Sequence, residues 1–317
     1  MQMKNKFLCR VLCVALCITI FSACNDDSPG SVSQGNYVNR NANDNSLQPE
    51  LSRLEMPHVK GGRSMVLIHT TGNDPFGINY AVEWDCDKRS QRWTAYQMGS
   101  GYIGSAGYYG KWSEDPELPS IARVNDSSAF YSGSGFTRGH ILCSADRQYS
   151  KDANMQTFYY TNMQPQYYSH NAGDNYTSPW VRLEEKVRTW ARAKETQVLY
   201  VVKGGTIDTE ENILMGLRRG GTHYIGSDVL KKAENGDVLL VPKYFFVALL
   251  LELKQGYRAI GFCIVHDNAD HGSNALVEYA MSIDNLENKT GIDFFCNLPD
   301  DIEDEVEAKI ASNAWGL

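Results

Sequence analysis

One histidine, two arginines and several side-chain amides crowd a short part of this chain: Phe136-Thr137-Arg138-Gly139-His140-Ile141-Leu142-Cys143-Ser144-Ala145-Asp146-Arg147, then Thr161-Asn162-Met163-Gln164-Pro165-Gln166 and Asn171. An imidazole can take a proton from water near neutral pH. A guanidinium can neutralise a phosphate, and an amide oxygen is a ligand that hard cations such as Mg²⁺ accept. Those groups suit metal-assisted hydrolysis of a phosphodiester. Gly139 removes side-chain bulk between Arg138 and His140, so a phosphate can approach the backbone there.

The elements that must position these groups are legible in part. Residues 65–71, 78–84 and 92–98 read as strands, the last two joined as a hairpin across the turn at Cys86–Gln91. Further strand-like runs cover 198–202, 238–241, 245–251 and 259–265. Trp180, Leu183, Val187 and Ala191 recur at helical spacing and predict the buried face of a helix. A second helix is expected from about Asp300 to Ala311. Strands in mixed order with a few helices predict an α+β fold, a mostly antiparallel central sheet flanked by helices.

The first 23 residues read as an export signal. Lys4, Lys6 and Arg10 precede an apolar run from Val11 to Ala23 that is too short to span a bilayer. Ala23 before Cys24 resembles the lipobox of bacterial lipoproteins, which implies lipidation of Cys24 and an outer-membrane anchor on the periplasmic or cell-surface face. Residues 24–50, rich in Asn, Ser, Gly and Asp, read as a disordered tether, and 51–317 as one domain. Removing residues 1–23 takes three positive charges and no acid, so the formal charge goes from -8 to -11. Such a balance is awkward for a nucleic-acid partner and predicts weak, salt-sensitive binding. The acids, however, crowd the C-terminal helix at Asp300, Asp301, Glu303, Asp304, Glu305 and Glu307, while Arg182, Lys186, Arg188, Arg192 and Lys194 form a basic cluster. Cys86, Cys143, Cys263 and Cys296 remain in the domain and allow up to two disulfides in three pairings.

The ordered set of motifs resembles the DNA/RNA non-specific endonucleases of the ββα-metal (His-Me finger) class, over roughly residues 62–310. Its anchors are Trp112 to Pro116, Ser134 to His140, Ser144 to Arg147, Asn162 to Gln166, Asn171, and Trp180 to Glu184 with Arg188. The resemblance implies a ββα-metal motif in which His140 is the general base and Asn171 the protein ligand to Mg²⁺ or Mn²⁺. By the same resemblance Glu184 holds a metal-bound water, Arg138 orients the phosphate, and Asn162, Arg188 and Arg147 support the site. It further implies cleavage of DNA and RNA to 5′-phosphate and 3′-hydroxyl ends, and a homodimer as a common state in the family. Glu184 and Arg188, four residues apart, are also placed to pair on one helix face.

Three departures bear on activity. Thr137 stands where the family commonly has aspartate, Cys143 where it has a small residue or proline, and the connection from Asn171 to Trp180 is longer, so that Asn175 competes as a ligand. Lys111 stands near where bacterial members use an arginine. Two other readings stay open: a catalytically impaired nucleic-acid-binding surface lipoprotein on the same fold, and a carbohydrate-binding surface module. The run His266-Asp267-Asn268-Ala269-Asp270-His271 has metal-ligand residue types but reads as a solvated turn.

Overall fold

A computed structural model describes residues 38–100, 104–124, 128–310 and 315–317. The signal segment, Cys24 and the start of the tether lie outside the described residues. The strands are β1 (Ser64–His69), β2 (Tyr80–Asp85), β3 (Ser90–Met98), β4 (Phe136–His140), β5 (Met163–Tyr167), β6 (Thr196–Gly205), β7 (Ile213–Leu217), β8 (His223–Tyr224), β9 (Leu239–Pro242), β10 (Tyr244–Leu253), β11 (Gly256–Val265) and β12 (Ala280–Met281). The helices are α1 (Ser128–Tyr131), α2 (Lys151–Gln156), α3 (Tyr168–Asn171), α4 (Pro179–Arg192), α5 (Val229–Glu234), α6 (Ile283–Thr290) and α7 (Asp300–Glu307).

Seven strands form one antiparallel sheet in the order β1-β2-β3-β6-β10-β11-β12. The expected hairpin of the second and third runs is present as β2–β3. Side chains of β10 alternate between two cores: Phe245, Val247, Leu249 and Leu251 pack in one, Phe246, Ala248 and Leu250 in the other. A strand buried on both faces needs cover on both. The first face is covered by α4, which buries Trp180, Leu183, Val187, Trp190 and Ala191. The second carries Ile283 and Leu286 of α6 with Phe294, Phe295 and Leu298 from the segment before α7. Ser178 starts α4 by accepting from the Val181 N–H, and Pro179 occupies the first turn where no amide donor is missed. The antiparallel α+β architecture expected from the strand pattern is thus observed.

Two features differ from the sequence-based expectations. The asparagine-rich stretch read as a tether is bonded to the domain from residue 39 on. Asn39 donates to the carbonyls of Cys296 and Leu298, and Asn43 to that of Pro57. The same polar composition that argues against a core supplies side-chain amides for backbone groups. The four domain cysteines are all free thiols, so neither disulfide forms.

Candidate active site

The residues that carry chemistry sit on a separate two-stranded ribbon, β4 paired antiparallel with β5, in which Thr137 faces Gln166 and His140 faces Met163. Neither strand has an apolar alternation, and neither was expected from the sequence. What holds them is the chain around them. Asn162, fully buried, donates to the Leu142 carbonyl at 3.0 Å and accepts from the Leu142 N–H at 2.9 Å, while its own carbonyl takes the Ile141 N–H. It therefore fixes the chain directly after His140. Arg147 is also fully buried. It donates to the carbonyls of Asn79, Gln97 and Asp146 and lies over the Tyr96 ring, so it pins the loop after His140 to the main sheet.

At the far end of β5, His266 closes the ribbon onto the main sheet. Its Nε2 accepts from the Tyr167 N–H at 2.9 Å, so the other nitrogen, Nδ1, carries the proton it donates to the Pro242 carbonyl at 2.7 Å. Burial holds this ring neutral, down at about 4. The loop expected to be a solvated turn thus begins with a buried clip, and His266 has no free nitrogen for a metal.

Within the ribbon, strand alternation turns Thr137 and Gly139 to the side of Gln166 and turns Arg138 and His140 the other way. A Cβ on Gly139 would come within 2.0 Å of the Gln166 side chain, so only glycine fits between Arg138 and His140. Arg138 places its guanidinium 5.2 Å from the centre of the Tyr131 ring, and its Nε is buried without a hydrogen-bond partner among the described residues. The His140 ring lies between Trp112 and Phe158, at 4.8 and 4.7 Å between ring centres. Burial pushes it down to about 4, and its Nε2 makes no hydrogen bond among the described residues. An uncharged imidazole with an unpartnered nitrogen is in the state a general base requires.

Asn171 ends α3 and donates its amide to Thr137 Oγ1 at 2.9 Å; Thr137 in turn donates to the Gln166 carbonyl at 2.9 Å. The threonine at the position where the resemblance leads one to expect aspartate thus accepts from the Asn171 amide. With its NH₂ committed, Asn171 leaves its oxygen, the atom a hard cation takes, without a bond among the described residues. His140 stands three residues beyond Thr137 on β4, a rise of about 10 Å and on the other side of the ribbon, and makes no hydrogen bond with Asn171. Asn175 lies exposed in the inserted turn, with a left-handed φ of 57°.

Glu184 is one position of the buried stripe of α4, an acid where the helical period calls for an apolar residue. It does not pair with Arg188. Its Oε1 lies 3.2 Å from Nζ of Lys203, a fully buried lysine of β6 that also sits over the Trp180 ring. Arg188 reaches instead to Asp146 at 2.9 Å. Between these pairs lies Cys143, whose thiol burial pushes well up, with Glu184 and Asp146 adding to the effect. A high thiol pKa removes the thiolate a nucleophilic cysteine would need. Asp115 of the Asp-Pro motif is buried too, accepting from Thr161 and lying 3.1 Å from His69. Sequence reading missed Lys203, Phe158, Tyr131 and the clip His266. For Lys203 a signal existed, a single lysine ending the apolar run Val198 to Val202.

A family model described as DNA/RNA non-specific endonuclease matches residues 66–301. The chain belongs to that family. It is similar to a nuclease of Nostoc sp., with 30% identity over 240 residues, covering 73% of this chain and 76% of that protein. To the mitochondrial nuclease EXOG of Xenopus laevis it is 29% identical, over 71% of this chain and 58% of the relative, so it spans little more than half of that protein. Among solved structures, an EndoG/EndoGI complex aligns with a TM-score of 0.54 at 17% identity, covering 75% of this chain and 89% of that one, which shows a shared fold. The family match encloses β4, β5, α3 and α4, the elements that carry His140, Asn171 and Glu184.

Proposed function

We propose that this member of the endonuclease family is a divalent-metal-dependent enzyme that hydrolyses phosphodiester bonds of DNA and RNA with little sequence preference, leaving 5′-phosphate and 3′-hydroxyl ends. The observation that carries the reading is a pair of groups left without a hydrogen bond among the described residues: the His140 imidazole at the end of β4, and the oxygen of Asn171 at the end of α3, whose amide is held by Thr137 of β4. Asn171 would hold Mg²⁺ or Mn²⁺, and Glu184, by the family resemblance, would act on the same ion through water; a bound ion would supply positive charge for the phosphate and the leaving oxygen. His140 would take the proton of the attacking water on its imidazole. Arg138 lies two residues before it and offers a guanidinium to the phosphate. Backbone rather than base edges would be read, which gives low specificity.

Purified protein is expected to nick plasmid and degrade RNA with Mg²⁺, and to stop when a chelator is added. No cleavage with Mg²⁺ or Mn²⁺ would favour the binding-only reading. Thr137→Val frees the Asn171 amide to turn, and should lower activity about 10- to 100-fold, with a higher Mg²⁺ requirement. A value equal to wild type would mean that Thr137 does not orient the ligand.

The export signal and tether are part of the same proposal, with the domain held at the outer membrane through Cys24. Labelling with a radioactive fatty acid should mark the wild-type chain and not Cys24→Ala. Equal labelling of both would refute the anchor.

A further inference from the structure

On the face of the sheet opposite α4, three carboxylates from two helices converge. One oxygen each from Asp284 and Glu287 of α6 and Glu307 of α7 lie within 4.8 Å of one another. Two oxygens bound to one Ca²⁺ at about 2.4 Å are at most about 4.8 Å apart, so this spacing brings the three within a few tenths of an ångström of a common ion. Asp284 and Glu287 are three residues apart and so share one face of α6.

Glu307 distinguishes this cluster from a solvated acidic surface. It is only 5% exposed, and its Oε1 has no hydrogen-bond partner among the described residues. The groups that act on it electrostatically are Glu287, Glu303, Asp293 and Asp284, all acids. It also sits in the last turn of α7, which holds no basic residue and whose carbonyls already present partial negative charge. Burial pushes its carboxyl up to about 10 and that of Glu287 up to about 8. The lysine of α6, Lys289, is turned to the Tyr244 ring, 4.1 Å from its centre. A buried, unpaired carboxylate beside other acids is costly unless a cation joins it. Glu287 is meanwhile held in place by the Phe294 N–H at 2.7 Å, and exposed Asp284 leaves one side open for entry and for water ligands.

We propose that Asp284, Glu287 and Glu307 bind a hard divalent cation of calcium size, which ties α6 to α7 and is separate from the catalytic ion. The site does not depend on the nuclease reading. Asn41 draws the N-terminal strap into the same region by donating to Asp293 and Glu303, so the ion would stiffen strap, α6 and α7 together.

The test uses the whole purified protein, stripped by chelator, with Ca²⁺ alone as the probe. Calorimetric titration and thermal unfolding are done on wild type, Asn171→Ala, Glu307→Gln and Asp284→Asn. Wild type and Asn171→Ala should each bind Ca²⁺ and gain about 5 °C in Tm at roughly a hundred times Kd. Asp284→Asn, an exposed change that leaves the fold intact, should weaken binding at least about tenfold. Glu307→Gln should abolish the Tm rise; if that variant does not fold, Asp284→Asn decides. Absence of Ca²⁺ binding in Asn171→Ala, or an equal Tm rise in wild type and Asp284→Asn, would overturn the proposal and leave the acids held by protons.

Discussion

His140→Ala is expected to slow plasmid cleavage about a thousandfold, within the range a positioned general base contributes, while the melting temperature moves by only a few degrees. The ring is half-buried between Trp112 and Phe158, its Nε2 is buried, and neither ring nitrogen has a hydrogen-bond partner among the described residues. Removing it takes away the proton acceptor and leaves Asn171, Arg138 and Glu184 in place. The pH profile gives an independent reading. A base works in its neutral form, and burial lowers this imidazole to about 4, so it stays neutral well below the ordinary histidine range. The rate should therefore hold from about pH 8 to about pH 5 and fall only below that, as the ring takes up a proton. An acid limb with a midpoint near the ordinary value of about 6.5 would show that the ring is solvated in the working enzyme. Equal cleavage by wild type and His140→Ala would remove His140 from the chemistry altogether.

What could be read in the sequence follows from how each element is stabilised. Strands of the main sheet declare themselves because both faces are buried, and runs such as Phe245 to Leu251 have no other use for so much apolar surface. The β4–β5 ribbon is held differently, by Asn162, by His266 and by Gln166 packing over Gly139. Its strands, FTRGH and MQPQY, therefore show no strand pattern, although the order of their motif residues pointed to the family. Pairing of charges was legible only where it is local. Glu184 and Arg188 have the spacing of a helix pair, yet each has a partner brought from elsewhere in the fold, because the stripe of α4 that contains Glu184 faces β6. His266 misled for the opposite reason: a polar loop follows it, but its own ring lies under Phe245 and Tyr167.

Lys203→Met should destabilise the protein by about 3–5 kcal/mol at neutral pH, the usual cost of leaving one member of a buried pair alone. Lys203 is fully buried and its ammonium is the cation nearest Glu184, whose carboxyl burial already pushes up against the opposing pull of that lysine. Without Lys203 the carboxyl rises further. An acid raised in the folded state above its unfolded value keeps full stability below the unfolded value, near 4.5, and loses it as the pH rises toward the folded one. The deficit of Lys203→Met should therefore be larger at about pH 8 than at about pH 5. Adding Glu184→Gln removes the stranded charge, so the double variant should recover most of the stability. Activity separates the two roles of the glutamate: if Glu184 serves the catalytic ion, the double variant stays slow although it is folded, whereas a purely structural pair would recover rate and stability together. A loss below about 1 kcal/mol in Lys203→Met, the value of a surface pair, would mean that water reaches Glu184 and that the lysine is not its counter-ion.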